Sequence, residues 1–413
     1  MKQSAFQLFS AKVAFFFALV FIFFIPIGTA PMNVALFLTL VFLILSGNIK
    51  NHILTAWRNP ISKVSLLLFL FFAIGTTWSI ANIEESIDIL KKYNELWYVA
   101  LLIPLFTSDK RKKIGINVFL IVMTGILLTI YLLENNLITP IETIDIGRDH
   151  PIFTVDGGFS SHILTNILMS FTVFIFAQRS ILSKGLMKIS YVILACYSGY
   201  YSIFISTGTT GQILTITLTS FFFMQHFRWK SVFIIPLFWA LIISYGMSNT
   251  NTSFGTILLK LQDAIEDTKG SGSQRLDFYT NSARIIYHNP WYGSGTGSFK
   301  QEYRALSEHY IKTHYTDNPH NEYFSTTVQL GYPGFLLLML LFYMQWNRSF
   351  KIENIEYRYL AQGLVVLIVI GSFGNSMIMD SGEGHFWAFF SALLFANSSN
   401  KQLGKTSTSS YHM

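Results

Sequence analysis

Charge is what this chain most lacks. Only 12% of its 413 residues are Asp, Glu, Lys or Arg, about half the share of an ordinary soluble domain. Together with 51% hydrophobic residues, this excludes both a soluble globular enzyme and a disordered chain. Cysteine is nearly absent too. The lone Cys196 leaves no intramolecular disulfide and no cysteine-based metal site. The segments between apolar runs hold no Asp-x-Asp or Glu-x-Asp pair, and no histidines spaced four apart: His309 and His314 stand five apart, His314 and His320 six. Neither a metal centre nor any other cofactor is expected.

What is present is apolar sequence in recurring blocks, with 39 Phe and a mean hydropathy of +0.43. Windows long enough for a bilayer-crossing helix, which needs about 20 mostly apolar residues, fall near 13–30, 32–47, 64–80, 94–107, 116–134, 162–177, 189–206, 211–226, 231–247, 324–345, 359–378 and 385–397. The expected fold is an all-α integral membrane protein with about twelve transmembrane helices. With a cytoplasmic N-terminus, the inner segments hold 19 of the 29 Lys and Arg, which predicts that both termini are cytoplasmic. The +7 formal charge therefore reflects topology rather than a nucleic-acid partner. The run Lys110-Arg111-Lys112-Lys113 is read as a topology anchor, and residues 13–30 as a first span rather than a cleaved signal peptide.

Three regions follow: helices one to nine over 1–247, a large outer loop over 248–323, and helices ten to twelve with a short cytoplasmic tail over 324–413. The loop carries Phe278, Tyr279, Ile285, Ile286, Trp291 and Tyr303 among its charges, enough apolar surface to pack. Leu276 to Tyr287 has helical spacing and is expected to lie as an amphipathic helix near the membrane surface. The glycine-rich Gly293-Ser294-Gly295-Thr296-Gly297-Ser298 lacks a P-loop ending. It is either a plain turn or a turn touching a lipid-linked phosphate. Asp317-Asn318-Pro319-His320-Asn321-Glu322-Tyr323 closes the loop. There His320 is either a base at the membrane boundary or an ordinary residue beside a helix capped by Asn318 or Asn321. Arg148, Arg275 and Arg284 could neutralise a diphosphate in place of a metal.

Three stretches resemble the O-antigen ligase family, within the superfamily of bacterial polytopic glycosyltransferases: Gly272-Ser273-Gln274-Arg275 through Pro290-Trp291-Tyr292-Gly293 to Phe299; Asn318-Pro319-His320-Asn321-Glu322-Tyr323 with Gln329-Leu330-Gly331-Tyr332-Pro333-Gly334; and Asn375-Ser376 through Glu383-Gly384-His385. The resemblance spans nearly the whole chain. It implies a GT-C-like fold and transfer of a glycan from undecaprenyl diphosphate to an acceptor at the periplasmic face of the inner membrane. For a ligase the acceptor is the lipid A core. It also implies His320 as base and Arg275 as stabiliser of diphosphate charge, with Arg148, Arg284, Asn318, Asn321 and Glu322 binding substrate. One position departs: many relatives read Thr-Gly-Arg-Thr-Gly where this chain has Thr207-Gly208-Thr209-Thr210-Gly211, and a hydroxyl cannot replace a guanidinium as a counter-charge. A polymerase is the alternative, through an Arg-x10-Gly spacing met by Arg284 and Gly295, as is an O-linked protein oligosaccharyltransferase, although those usually carry a longer C-terminal portion. A transporter of lipid-linked sugar is disfavoured by span interiors almost free of charge and by halves that do not correspond.

Overall fold

A computed structural model describes residues 4–138, 161–266, 271–309 and 315–397. Within them all regular structure is helical. The chain opens with α1 (Ala5–Phe24), where Ser4 and Gln7 cap each other reciprocally. It packs on α2 (Thr29–Leu45), which bends by 115° into α3 (Ile49–Arg58). Asn59 caps α4 (Pro60–Gly75), whose first residue is proline, a residue suited to a position where no N–H is needed. Next come α5 (Ile83–Lys92), α6 (Glu95–Leu102), α7 (Asp109–Glu134), α8 (His162–Leu182) and α9 (Gly185–Tyr200). A π-helical turn over Tyr201–Ile205 separates α9 from α10 (Thr209–Phe227). Then follow α11 (Ser231–Ser248), α12 (Ser253–Glu266), α13 (Ser271–His288), α14 (Phe299–His309), α15 (Glu322–Ser349), α16 (Ile355–Gly374) and α17 (Ser381–Phe395).

The chain is a multi-pass membrane protein, but the expected count of twelve is not reproduced. Among the described residues seven helices are long and apolar enough to cross a bilayer, or eight if α2 and α3 form one bent span. Every expected run overlaps a helix. However, α2, α9 and α17 have 17, 16 and 15 residues, and α6 is a short apolar helix. α10 and α11 form one apolar stretch over Thr209–Ser248, turning at Arg228–Lys230.

The core is built around α17, every residue of which is buried except Ser381. A helix apolar on all sides belongs inside a bundle, and Phe390 of α17 meets Phe119 of α7 and Phe171 of α8 edge to face, as Phe386 meets Phe171, while Phe386 and Phe119 are tilted. Its last carbonyls have no helical partner. Asn59 Nδ2 donates to Phe395 O at 2.8 Å and Lys112 Nζ to Ala396 O at 2.7 Å. One lysine of the basic run thus closes the central helix, where a cation also suits the dipole. On α11, by contrast, Val232, Phe233, Leu237 and Leu241 are exposed, as a lipid-facing surface requires.

Candidate functional site

At one end of the bundle, α15 starts beside the last turn of α16. Asn321 caps α15: its Oδ1 accepts the Phe324 N–H at 3.0 Å, while its Nδ2 donates to Phe373 O at 3.1 Å. Tyr279 of α13 donates to the same carbonyl at 2.5 Å. One oxygen therefore joins three helices. Glu322, fully buried, accepts the N–H groups of Ile378 and Met379 at 2.9 and 3.3 Å, which fixes the segment between α16 and α17 against α15.

His320 precedes the cap with φ of 50°. For a residue with a side chain that left-handed conformation costs about 1–3 kcal/mol and needs support from its surroundings. The support is Asn318, whose Oδ1 accepts the His320 N–H at 2.9 Å and the Ser376 hydroxyl at 2.7 Å. Thr316 steadies Asn318 in turn through bonds to its N–H and C=O. The half-buried imidazole lies 6.1 Å from the Phe278 ring and is hydrogen-bonded to the Asn375 side chain. Burial, and next the charge of Arg275, lower its pKa below the usual 6.5 against that hydrogen bond. The ring is thus neutral near pH 7, the form that can accept a proton.

Arg275 approaches from α13. A Cβ built on Gly374 would lie 3.2 Å from Thr210 Oγ1 and 3.7 Å from Arg275 Nη1, so the bare glycine leaves room between the two. Thr210 belongs to the motif that departs from the family pattern. There the helix breaks between the π turn and α10, and side-chain amides satisfy the freed carbonyls. Asn166 Nδ2 donates to Ser202 O and Gly208 O, and Gln212 Nε2 to Ile203 O and Ser206 O, all within 3.1 Å. α10 begins at Thr209 with no side-chain cap. Its N-terminal N–H groups and positive dipole end therefore lie beside Arg275.

The structure thus brings His320 and Arg275 together and gives Asn318, Asn321 and Glu322 supporting positions around them. Arg284 is exposed and bonds Asn281 on its own helix. Nine residues beyond Arg275, it lies about two and a half turns on and so on the opposite face of α13. Arg148 lies outside the described residues. Sequence reasoning missed Thr210, Gly374, Asn375 and Ser376 in this role, since each is far along the chain from His320. The third motif stretch, Asn375-Ser376, was the one available signal.

The glycine-rich turn does not offer its N–H groups to a phosphate. Ser294 and Gly295 donate to Val328 O and Gln329 O at 2.9 Å each, Thr296 to Gly75 O at 3.0 Å, and Gly297 to Gln329 Oε1 at 2.8 Å. α15 is broken at Gly331 (φ 65°, ψ −166°), and the turn supplies donors where the broken helix cannot. Of the two readings, a structural turn is the one that holds.

The fold and this site define a polytopic helical membrane protein with a neutral imidazole and a guanidinium gathered at one end of the bundle. Residues 189–339, which include both groups, match the family model described as O-Antigen ligase. The match bears out the family resemblance and supports an activity of O-antigen ligase or polymerase type. No curated protein matches the chain.

Proposed function

We propose that the protein transfers a glycan from undecaprenyl diphosphate to a sugar hydroxyl of the lipid A core, at the periplasmic face of the inner membrane. The observation that carries this reading is the pairing of His320 with Arg275 within the stretch that matches the ligase family. The acceptor hydroxyl attacks the anomeric carbon, and its proton passes to the neutral His320. The carrier diphosphate leaves with its charge stabilised by Arg275 and by the N-terminal turn of α10, which covers the absence of an arginine at Thr209. Direct displacement inverts the anomeric centre, and no metal is required, because a guanidinium and backbone N–H groups supply the counter-charge. The site end lies opposite the lysine-rich short segments, which supports an outer position by the positive-inside rule.

Support for the polymerase reading weakens. Gly295 has a packing role of its own: a Cβ there would fall 2.1 Å from Ser79 Cα. Its spacing from the exposed Arg284 therefore does not define a shared site. The deciding measurement is the lipopolysaccharide profile of a deletion strain, with carrier-linked glycan extracted in parallel. Loss of long-chain bands with full-length polymer left on the carrier is the expected result. Core bearing a single repeat unit would mean a polymerase, and an unchanged profile would remove both readings.

A further inference from the structure

A cavity of about 640 Å³ opens between α2, the start of α6 and the start of α17. Met379 and Asp380 line it, so the same short segment that meets His320 through Asn375 and Asn318 through Ser376 also forms one of its walls. Asp380 is five positions on from Asn375, a reach of at most about 18 Å. The cavity contains a buried pair that the reading above does not use. His385 Nδ1 lies 3.1 Å from Glu95 Oε1 and 2.5 Å from Ser381 O. A carbonyl cannot donate, so Nδ1 carries the hydrogen, and in that tautomer Nε2 is an acceptor.

Two acceptors are left over. Glu95 and His385 are 2% and 4% exposed, and both Glu95 Oε2 and His385 Nε2 are buried with no hydrogen-bond partner. Native interiors rarely tolerate this unless a ligand, an ion or a bound water supplies what is missing. The glycine at 384 makes room for the pair, since a Cβ there would come within 2.7 Å of Glu95 Cγ. Hydroxyl groups are the donors that fit two such acceptors. Trp97 and Tyr98 add flat apolar faces that can cover the C–H side of a sugar ring. On the other wall Leu36 and Phe37 of α2 line the cavity, Phe37 with most of its surface exposed. A ligand here meets a polar floor and an apolar flank, as a sugar head group on a lipid anchor would.

We propose that this cavity seats the acceptor: the head-group sugar of a membrane-anchored saccharide, whose hydroxyls donate to Glu95 Oε2 and His385 Nε2. The segment 375–380 then stands between this sugar and the donor diphosphate beside Arg275. Calling the occupant the acceptor rests on the glycan transfer proposed above, whereas the saccharide site itself does not.

The test uses the full chain in lipid nanodiscs and two probes: rough-type lipopolysaccharide and the soluble core oligosaccharide released from it. Binding is read by saturation-transfer NMR and titration, with thermal unfolding as the check on folding. Glu95→Gln and His385→Gln are each expected to weaken binding about tenfold or more. Asn33→Trp, at an exposed position lining the same cavity, fills it and does the same without disturbing the buried pair. His320→Ala should leave binding intact while stopping transfer. Binding that survives both Glu95→Gln and Asn33→Trp overturns the proposal, as does a loss seen with lipopolysaccharide but not with the soluble core oligosaccharide. Should the wild type bind core sugar through these residues yet transfer nothing, the transfer reading fails and the saccharide site stands.

Discussion

As the proposed base, His320 would act only as a neutral ring, and its surroundings set how far into acid it stays neutral. Burial and Arg275 lower its pKa, with the Asn375 bond opposing them. Transfer in reconstituted membranes should therefore hold through pH 6.5 and fall only below it. An acid limb above 6.5 would count against His320 as the base. Asp380, pushed up to about 6 by burial against the pull of Lys92, titrates in the same range, and Asp380→Asn should leave the limb in place. His320→Ala should lower kcat by about 10²–10⁴. Arg275→Ala should cost about 10²–10³, and Arg284→Ala no more than a few-fold, since an exposed charge contributes about 0–1 kcal/mol. The residue type at 320 and 275 could be read from the sequence because a histidine among amides and an arginine in a family motif carry their own chemistry. Thr210 and Asn375 could not, because a threonine and an asparagine gain a role only from what the fold places beside them.

Among the elements, α15 shows why motif and mechanism can part company. The glycines at 293, 295 and 297 all have positive φ and look like a ligand cradle in sequence. The N–H groups of Ser294, Gly295 and Gly297 instead go to a helix broken at Gly331. Nothing local in the sequence indicates that the donors are already taken, because the acceptors lie more than thirty residues on. Gly295→Ala should destabilise the protein by about 2–4 kcal/mol, through a left-handed φ and a clash with the Ser79 backbone. Thermal unfolding in detergent would register it, and an unchanged midpoint would discard this account of the turn. Glu322→Ala should act similarly by stripping the buried N–H groups of Ile378 and Met379, at about 1–3 kcal/mol each. The apolar runs themselves were plain from composition, although helices as short as α6 and α17 pass into the interior rather than behaving as full spans. Glu95, Glu383 and His385 sit in the first turns of those two helices, so the bundle is less free of ionisable groups than the span interiors suggest.

For the whole molecule, the proposed orientation can be tested with the single native cysteine removed. In a Cys196→Ser background, a cysteine introduced at Asn82 or Arg284 should react with an impermeant reagent from the periplasmic side. One at Trp229, in the turn between α10 and α11, should react only after the inner membrane is opened. The reverse pattern would place His320 in the cytoplasm and end the proposed chemistry.

The lock between the glycine-rich turn and α15 also bears on chain length. Ser294, Gly295 and Gly297 meet Val328, Gln329 and the Gln329 side chain in strict succession, while Pro290 O accepts the Tyr332 N–H at 2.8 Å from the other side. A single inserted or deleted residue between Pro290 and Gly297 would slip every one of these pairings at once. Changes in the short turn between α11 and α12 would leave the register untouched. Loops that vary in length can therefore grow on this scaffold around a stretch of eight residues that cannot.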